Sequence, residues 1–485
     1  MIPGVFDTLR ARAAQQPDHA ALIVDQGESG VRSVSYAALI ARAEAIGERL
    51  QQDGLAVGDR CGLVAPQGAG FIEYALGILA AGGCFVPIPD DTRGEALRAF
   101  TRRAHLHQLL VLPRGAEKAE PQSLPEPEPV DGRGDAAFRA LGPAYLRFTS
   151  GTTHRRKGVI LGQATILARL EAANRCLGIG PADRILWLLP MAHHFVVSIL
   201  LYLRYGASVL LPASAMARQI LALADGEGAS VLYGSPYHYN LLAKDRGEAR
   251  LAQVRLAIST AEGLRADVAR DFAARFGVPL RQALGIMEVG LPVVDRGDAS
   301  EPGALGRPLP DYEVWLRGED GRPVADPTAP ERSGEICIRG PGLFDAYLEP
   351  WIPASRVLVP DGFRTGDQGW LDAEGNLHLA GRRANRINMA GMKFFSEEVE
   401  AILDRHPAVR RSRVLAREHA HLGEIPVAEI EAADPAAPPE RKSLAAFCRE
   451  QLPSYKVPRE FRIVEQLPLT ATGKLARVAQ ETEEH

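Results

Sequence analysis

The clearest chemical signal in the sequence is a run of small hydroxyl residues and glycine at positions 149–158, which follows an apolar strand pattern and ends in Lys-Gly. Small residues let backbone N–H groups approach phosphate oxygens closely, and hydroxyls and a lysine add donors and positive charge. No Gly-Lys-Ser/Thr closes the run, so it is not a Walker loop. A polar turn without a ligand explains the run by itself equally well. The candidate phosphate-binding residues are Thr149, Ser150, Gly151, Thr152, Thr153 and Lys157.

Further segments along the chain give this run a context. They are GILAAGGCFVPIP at 77–89, PMAHHF at 190–195, LGIME at 284–288, GEICIRGP at 334–341, RTGD at 364–367, GR at 381–382 with 387–400, and PLTATGK at 468–474. Together with residues 149–158, the series resembles the adenylate-forming superfamily of acyl- and aryl-CoA synthetases, adenylation domains and luciferases. The resemblance spans nearly the whole chain and implies an enzyme that joins a carboxylic acid to a thiol with the consumption of ATP.

The implied chemistry explains these residue types. A carboxylate oxygen attacks the α-phosphorus of ATP, which gives an acyl adenylate and pyrophosphate, and cations must converge on the phosphate charge in the transition state. The resemblance assigns that role to Lys474 and places Mg²⁺, a hard cation, on Glu288 and Thr152. It places Asp367 on the ribose hydroxyls and Arg382 beside the nucleotide. Each of these residues also has a plain alternative as an ordinary surface or turn residue.

The acid pocket is predicted around residues 190–195, where the resemblance puts His193 beside the substrate carboxylate as a catalytic residue. A histidine pair that is merely packed is the alternative. For Tyr237 and its neighbour Tyr239, core packing is the favoured interpretation over a place in the pocket floor. The further candidates for acid binding are His194, Phe195, Tyr237, Leu284 and Met287.

Two more segments have roles that the resemblance implies. The stretch STAEGL at 259–264 is similar to one in benzoate-type ligases that lines the adenine and acid pocket, with a strand end and turn as the alternative. The nucleotide candidates there and after it are Ala261, Glu262, Gly285 and Ile286. Asn388 and Gly391 are implied to border the tunnel for the thiol.

Five positions depart from the family pattern. His154 stands where the family has glycine, Arg156 where it has proline, Leu284 where it commonly has an aromatic residue, Met287 where it has threonine or serine, and Ala384 where the hinge has Asp or Lys. Loss of the hydroxyl at 287 removes one hydrogen bond, and the hinge is expected to pivot differently. Because Lys474 and Glu288 are retained, an active enzyme is favoured over a non-catalytic nucleotide- or acyl-binding relative.

The identity of the acid and of the thiol is only partly constrained. Residues 190–198 (PMAHHFVVS) contain no Asp to pair a substrate ammonium, and a buried unpaired ammonium is costly, so an α-amino acid is disfavoured. The stretch at 259–264 favours an aryl acid, while the apolar neighbours suit a fatty acid as well. The acceptor is expected to be coenzyme A or carrier-protein phosphopantetheine. A basic cluster of Arg410, Arg411 and Arg413 is a candidate surface for an acidic carrier protein or the coenzyme's phosphates.

The elements that position these residues follow from the hydrophobic pattern. Helical and strand patterns alternate through the first three quarters of the chain, with helices predicted at 36–50 and 195–204 and a strand at 84–88 among them. This alternation predicts an α/β fold of mostly parallel sheets flanked by helices. The last 100 residues or so predict a compact α+β domain. The resemblance implies that this domain is mobile, so we expect a large AMP- and acid-binding domain at 1–381 and a small lid domain at 382–485. Residues 113–136, rich in Pro, Glu and Gly, are expected to form a surface loop.

Composition narrows the class of protein. The 485 residues contain 46% hydrophobic and 24% charged residues, which excludes wholesale disorder. Fifty-six basic and 60 acidic residues give a net charge of −4, which offers no broad drive toward nucleic acid or anionic lipid. Five scattered cysteines disfavour zinc and a disulfide framework. No spanning helix or secretory signal is expected, so the predicted location is cytoplasmic, as a stand-alone enzyme or a homodimer.

Overall fold

The computed structural model describes residues 4–122, 124, 127, 135–148, 157–297, 303–358, 362–382, 385–390, 392–419, 421–469 and 475–476. The described chain divides into two compact units. Among the described residues, the first lies within 4–148, 157–313 and 339–363, and the second within 314–338 and 364–476. The boundary at 381–382 between an acid-binding domain and a mobile lid stays a prediction.

The helices of the described chain begin where apolar residues recur at helical spacing. The helix α2 has its buried residues Tyr36, Leu39, Ile40, Ala43, Ile46, Gly47 and Leu50 on one face, as the sequence pattern predicts. The helices are α1 Val5–Gln15, α2 Tyr36–Gln52, α3 Ala69–Ala80, α4 Gly94–Arg103, α5 Ala136–Ala140, α6 Gln163–Leu177, α7 Leu201–Arg204, α8 Ala217–Gly226, α9 Pro236–Lys244, α10 Ala266–Phe276, α11 Ser396–Leu403 and α12 Arg441–Gln451. None of these helices is both long and apolar enough to cross a membrane.

The strands are short, and those in the first unit are mostly buried on both faces, as parallel sheets covered by helices require. They are β1 Ala20–Asp25, β2 Val31–Ser35, β3 Arg60–Val64, β4 Cys84–Ile88, β5 Gln108–Val111, β6 Glu120–Gln122, β7 Pro143–Phe148, β8 Gly158–Gly162, β9 Arg184–Trp187, β10 Ser208–Leu211, β11 Val231–Gly234, β12 Leu256–Ser259, β13 Leu280–Ile286, β14 Gly290–Val294, β15 Arg307–Pro308, β16 Glu313–Arg317, β17 Gly334–Arg339, β18 Ala346–Leu348, β19 Ile352–Pro353, β20 Phe363–Leu371, β21 Leu377–Arg382, β22 Arg386–Met389, β23 Met392–Phe395, β24 Val409–His419, β25 Gly423–Ala432 and β26 Glu460–Val464.

Two sheets form the first unit. In the described residues the order of one sheet is β15-β14-β13-β12-β11-β9-β10-β1-β2, and its central strands from β13 to β1 run parallel. The order of the other is β19-β18-β8-β7-β4-β3-β5-β6, with β7, β4, β3 and β5 parallel. The helices α8, α9 and α10 cover one face of the first sheet, where Leu232, Tyr239 and Phe272 belong to a shared apolar core. This layering is the predicted α/β arrangement.

The second unit also contains two sheets. One has the order β16-β17-β20-β21, and β20 and β21 form an antiparallel hairpin. The other has the order β23-β22-β25-β24, with β26 added parallel to β25. The helices α11 and α12 contribute Val399, Leu403 and Leu444 to the core of that sheet. The predicted α+β character of the last 100 residues agrees with this topology.

Two local expectations need correction. The predicted helix from Phe195 to Arg204 begins as a π-helical turn over Val196–Leu200, in which Val197 leaves the helical region, and only its last residues form α7. Within the predicted loop at 113–136, β6 pairs antiparallel with β5 at the edge of the sheet. A proline inside β6 fits an edge strand, because an edge strand needs fewer N–H donors than a central strand. Residues 123, 125–126 and 128–134 lie outside the described chain.

Candidate active site

The predicted ligand-binding segments follow the carboxyl ends of the parallel strands in the first sheet. Residues 190–195 come after β9, residues 260–264 come after β12, and β13 itself carries 284–286 before reaching Glu288. Because parallel strands end at one edge, these segments share that edge, which is where open α/β sheets bind ligands. Burial along β13 ends at Leu284, and Gly285 is exposed, so the end of this strand is open to a ligand.

Glu288 is held by its backbone as well as by its side chain. Its carbonyl oxygen accepts hydrogen bonds from the N–H of Phe344 at 2.8 Å and from Nη2 of Arg169 at 2.8 Å. Its carboxylate Oε1 accepts a hydrogen bond of 3.0 Å from the hydroxyl of Tyr347 on β18. The side chain is partly buried, so a carboxylate stands in a fixed orientation at the open end of β13.

Tyr347 also contacts the lysine of the predicted phosphate-binding run. Lys157 lies directly before β8, and its Nζ is 4.5 Å from the centroid of the Tyr347 ring. The position of Tyr347 is fixed because β18 pairs antiparallel with β8, with Tyr347 opposite Val159. Burial and the charge of Glu288 raise the pKa of Tyr347 above its ordinary value, so its hydroxyl remains a proton donor. Two predicted site residues from distant segments thus meet on one aromatic side chain.

Arg169 on α6 contacts the residues that follow β13. It is 1% exposed, and its guanidinium donates to three carbonyl oxygens. Those of Met287 and Glu288 lie 2.7 and 2.8 Å away, and the third belongs to Gly342. Burial lowers the pKa of Arg169 to about 10, which leaves it charged at neutral pH. One side chain therefore joins the end of β13 to the loop before β18.

The predicted acid-binding segment forms a compact turn. The N–H groups of His193 and His194 donate to the carbonyl of Pro190, and the N–H of Met191 donates to Oε1 of Gln67 at 3.2 Å. Both histidine side chains are partly buried. Phe195 is 1% exposed and packs edge-on against Phe85 and Phe71, so it supports the turn from the aromatic core. Direct contact of these residues with an acid stays a prediction.

The segment predicted to bind adenine is fixed by short polar contacts. Thr260 donates through Oγ1 to the carbonyl of Ala283 at 3.1 Å, and Oε1 of Gln282 accepts from the N–H of Leu264 at 3.0 Å. Between these contacts Ala261 has a φ of +77°, in the left-handed region that costs a non-glycine residue about 1–2 kcal/mol. Such strain concentrates at functional sites, and here it turns the backbone at the end of β12.

The two tyrosines of α9 have different environments. Tyr239 is fully buried and donates to the carbonyls of Leu232 and Ile258 at 3.1 and 2.7 Å, so it is a core residue, as favoured from the sequence. Tyr237 is 64% exposed at the start of the helix, so the core packing favoured for it from the sequence is wrong. Leu284 and Met287 are partly buried at the open end of the β13 segment. A role of Tyr237, Leu284 or Met287 in binding the acid stays a prediction.

The second unit brings together Asp367, predicted to bind the ribose hydroxyls, and Arg382, predicted to contact the nucleotide near the hinge. Asp367 and Arg382 are cross-strand neighbours in the β20–β21 hairpin, and Nε of Arg382 lies 3.0 Å from Oδ1 of Asp367. The backbone N–H of Asp367 donates to Oγ1 of Thr365, which holds the turn of β20. Asn388, predicted for the thiol tunnel, is exposed on β22, and its N–H donates to Oε2 of Glu424 at 2.7 Å.

Several predicted site residues lie outside the described chain. They are Thr149, Ser150, Gly151, Thr152 and Thr153 of the phosphate-binding run, Gly391 of the thiol tunnel and the catalytic candidate Lys474. The departures His154, Arg156 and Ala384 lie there too. Ala261, Glu262, Gly285 and Ile286 are described, but binding of a nucleotide to them stays a prediction. Among the described residues, no group of three or more His, Cys, Asp or Glu side chains forms a ready metal site.

The predicted basic cluster on the last 100 residues is wrong in part. Arg413 is 5% exposed, and its Nε donates to Oε2 of Glu429 at 2.8 Å on the paired strand β25. Arg410 is exposed, but its Nη1 lies 3.3 Å from Oε1 of Glu431. Arg413 lies in a buried run from Ser412 to Val414 and is paired with Glu429, so the three arginines do not present one patch of free positive charge.

Three site residues were missed from the sequence, namely Arg147, Arg169 and Tyr347. Arg169 carried a signal, because it occupies a position between Ile166 and Ala173 on the buried face of an amphipathic helix. Arg147 carried one too, since it interrupts the apolar strand pattern of β7. A charged residue on a buried face must find partners, and such partners are enriched at functional sites. Tyr347 gave no signal beyond its place in an apolar strand.

Comparison with known proteins agrees with this architecture. The family profile described as AMP-binding enzyme matches residues 9–348, and that of the AMP-binding enzyme C-terminal domain matches residues 398–474. The chain therefore belongs to the family of AMP-binding enzymes. It is 31% identical over 520 residues to a sulfoacetate–CoA ligase of Cupriavidus necator, with 98% of each protein covered. It is 30% identical over 507 residues to the pyochelin synthase PchD of Pseudomonas aeruginosa, covering 97% of this chain and 90% of that protein.

A solved structure shows the same fold. MatB from Rhodopseudomonas palustris with bound ATP superposes with a TM-score of 0.83 at 24% identity, over 98% of this chain and 97% of that one. Several other relatives are longer proteins, of which the chain spans between 6% and 42%. The predicted fold class, the membership of the adenylate-forming superfamily and the class of ATP-dependent acid–thiol ligase are confirmed. The enzyme activates a carboxylic acid as an acyl adenylate and transfers the acyl group to a thiol.

Proposed function

We propose that the chain is a Mg²⁺-dependent ligase that joins an aryl acid or another non-amino carboxylic acid to coenzyme A or to carrier-protein phosphopantetheine. The observation that carries this proposal is the contact of Tyr347 with both Glu288 and Lys157. A carboxylate and a lysine held against one side chain form a pair of opposite charges at the open end of β13. That pairing suits a magnesium nucleotide, because a hard cation needs the carboxylate oxygen while phosphate oxygens need the lysine.

The residues divide the work of the first half-reaction. The acid's carboxylate oxygen forms a bond to the α-phosphorus, and the bond to the pyrophosphate oxygen breaks. Lys157 neutralises phosphate charge. We assign to Lys474 the stabilisation of the negative charge that develops at the α-phosphate. Glu288, oriented by Tyr347, would hold Mg²⁺, which when bound neutralises pyrophosphate oxygens. In the second half-reaction a thiolate attacks the acyl carbon and AMP leaves.

The acid is constrained mainly by what the pocket lacks. The turn at 190–195 and the following residues to 198 contain no carboxylate that would pair an ammonium, so amino acids are poor substrates. The strained backbone at Ala261 lies in the stretch that favours an aryl acid, whereas the apolar side chains of Leu284 and Met287 suit an aliphatic acid as well. The sulfonated acid named for the Cupriavidus relative belongs on the same list of candidates.

For the thiol we favour coenzyme A. The coenzyme A ligase of Cupriavidus is similar to this chain over 98% of its own length and 98% of this chain. A carrier protein remains the second candidate. The pairing of Arg410 and Arg413 with glutamates weakens the case for a basic docking patch among the described residues of β24.

Acid-dependent exchange of labelled pyrophosphate into ATP tests the first half-reaction. The panel consists of benzoates, fatty acids, amino acids and sulfonated short acids, each with and without Mg²⁺. We expect exchange with at least one non-amino acid, dependent on Mg²⁺, and thioester formation when coenzyme A is added. Binding of ATP by calorimetry without exchange by any acid would instead show a non-catalytic binding protein.

A further inference from the structure

Arg147 contacts two predicted site segments, the acid-binding turn at 190–195 and the segment at 284–288. It is the penultimate residue of β7, two positions before the phosphate-binding run in the sequence. Side chains alternate along a strand, so Arg147 shares a face with Tyr145, whose ring lies 5.8 Å from that of Phe85. Phe85 in turn packs against Phe195 at 5.2 Å. The arginine is therefore directed toward the acid-binding turn rather than toward the outer helices.

The contacts of the guanidinium confirm this direction. Its Nη1 donates to the carbonyl oxygen of His193 and lies 3.7 Å from Sδ of Met287. Both partners belong to the segments predicted to line the acid pocket. Neither partner carries a negative charge, and a thioether is a weak acceptor.

The positive charge of Arg147 has no anionic partner in the described part of the chain. No carboxylate there forms an ion pair with it, and its buried Nε atom has no hydrogen-bond acceptor. Burial lowers the pKa of Arg147 from its ordinary value, and the charge of Glu288 opposes that shift. A guanidinium stays protonated under such conditions, so Arg147 is a partly buried cation with no ion-pair partner among the described residues.

The other strongly buried arginines have partners for their guanidinium groups. Arg60 lies 2.8 Å from the carboxylate of Asp135, and Arg413 pairs with Glu429. Arg169 satisfies its guanidinium with three carbonyl oxygens. Leaving a buried cation unpaired is costly, so its persistence at a site indicates that a ligand supplies the missing charge.

We propose that Arg147 is a specificity-determining residue that binds a second anionic group of the acid, so that the preferred substrate carries a carboxylate or sulfonate in addition to the carboxyl group that is activated. This inference rests on the proposed function, because it takes the acid to bind between His193 and Met287. A guanidinium matches carboxylate and sulfonate oxygens through two parallel N–H donors. An acid of the same size that lacks the second anionic group leaves the guanidinium desolvated and unpaired, so binding of that acid is disfavoured.

The test compares acids that differ only in the second anion. The pairs are benzoate with its monocarboxylated and monosulfonated derivatives, and propionate with malonate and sulfoacetate. Pyrophosphate exchange gives kcat/KM for each acid and KM for ATP, for the wild type, Arg147→Gln and Arg147→Lys. We expect the wild type to prefer an anion-bearing member at least 10-fold. Arg147→Gln should abolish the preference with KM for ATP unchanged, and Arg147→Lys should keep part of it.

Three outcomes would overturn the inference or locate the failure elsewhere. Equal kcat/KM in the wild type for acids with and without a second anionic group refutes the inference about Arg147 and leaves the ligase function intact. This result holds even if Arg147→Gln does not fold. An equal loss on all acids with a raised KM for ATP assigns Arg147 to a phosphate of the nucleotide instead. No exchange with any acid in the wild type would refute the proposed function itself.

Discussion

The hydroxyl of Tyr347 donates a 3.0 Å hydrogen bond to the carboxylate of Glu288, which lies 59 residues earlier in the chain. The ring of the same tyrosine contacts Nζ of Lys157. The hydrogen bond fixes one oxygen of the carboxylate. Because the group is planar, this also determines the orientation of the other oxygen. Tyr347 is thus a positioning residue for the pair of charges that the proposed function requires.

Tyr347→Phe keeps the ring and removes the hydrogen bond. A hydrogen bond to a charged group contributes about 1.5–3 kcal/mol, so we expect pyrophosphate exchange to fall about 10- to 100-fold and the Mg²⁺ concentration for half-maximal rate to rise. Tyr312→Phe is the matched control, because the hydroxyl of Tyr312 donates only to backbone carbonyls at 3.2 and 3.4 Å. Wild-type exchange and Mg²⁺ dependence in Tyr347→Phe would show that the contact is incidental.

Arg169→Met removes the arginine donor from the carbonyl oxygens of Met287 and Gly342 and one of the two donors, the other being the N–H of Phe344, from that of Glu288. We expect the free energy of unfolding, measured with urea, to fall by about 3 kcal/mol, because unsatisfied buried acceptors carry their full desolvation cost. On the same helix Arg175 is 53% exposed at its side chain and pairs with surface carboxylates, so Arg175→Met should cost less than 1 kcal/mol. Equal urea midpoints for the two variants would contradict the role assigned to Arg169.

Lys474→Ala separates the two half-reactions. If the lysine acts on the α-phosphate, acid-dependent exchange should fall at least 100-fold, while thioester formation from a supplied acyl adenylate keeps most of its rate. Lys442→Ala, an exposed lysine at the start of α12, is the control and should alter neither rate. Equal loss of both half-reactions in Lys474→Ala would place the lysine in a different role.

Stability should fall with acid partly because of His238. Nδ1 of this histidine lies 3.3 Å from the backbone nitrogen and 2.8 Å from Oγ of Ser235, at the start of α9. Burial lowers its pKa from 6.5 to about 4, so the folded protein favours the neutral ring. The unfolded chain then binds the extra proton first, and stability is complete above pH 6.5 and declines as the pH falls toward 4.

Urea unfolding at pH 7 and at pH 4.5 measures this effect in the wild type and in His238→Asn. The asparagine cannot titrate, and its side-chain oxygen can still accept from the N–H of Ser235. We expect the wild type to lose on the order of 2–3 kcal/mol more than the variant over this interval. Identical losses would show that protonation of His238 is not linked to unfolding.

The sequence predicted those parts of the fold that depend on local pattern. The strand Cys84–Ile88 and the helix α2 have the bounds that their apolar spacing indicates to within a few residues, because a period of 3.6 or a short apolar run is a property of neighbouring residues. The order of the motifs also predicted the family, as the match over residues 9–348 confirms. The predicted start of the helix that ends in α7 was wrong, because the π-helical turn before α7 follows from packing around Phe195 rather than from periodicity.

The sequence by itself determined which residue types stand at the ends of which strands, and from them the class of reaction. Only the tertiary structure decided how they meet. Arg147 reaches His193 across 46 positions, and Arg169 reaches the carbonyl of Glu288 across 119. No local pattern encodes such contacts, because they depend on how two separate sheets pack. The pairing of β24 with β25 turned Arg413 from a candidate surface charge into a buried ion pair.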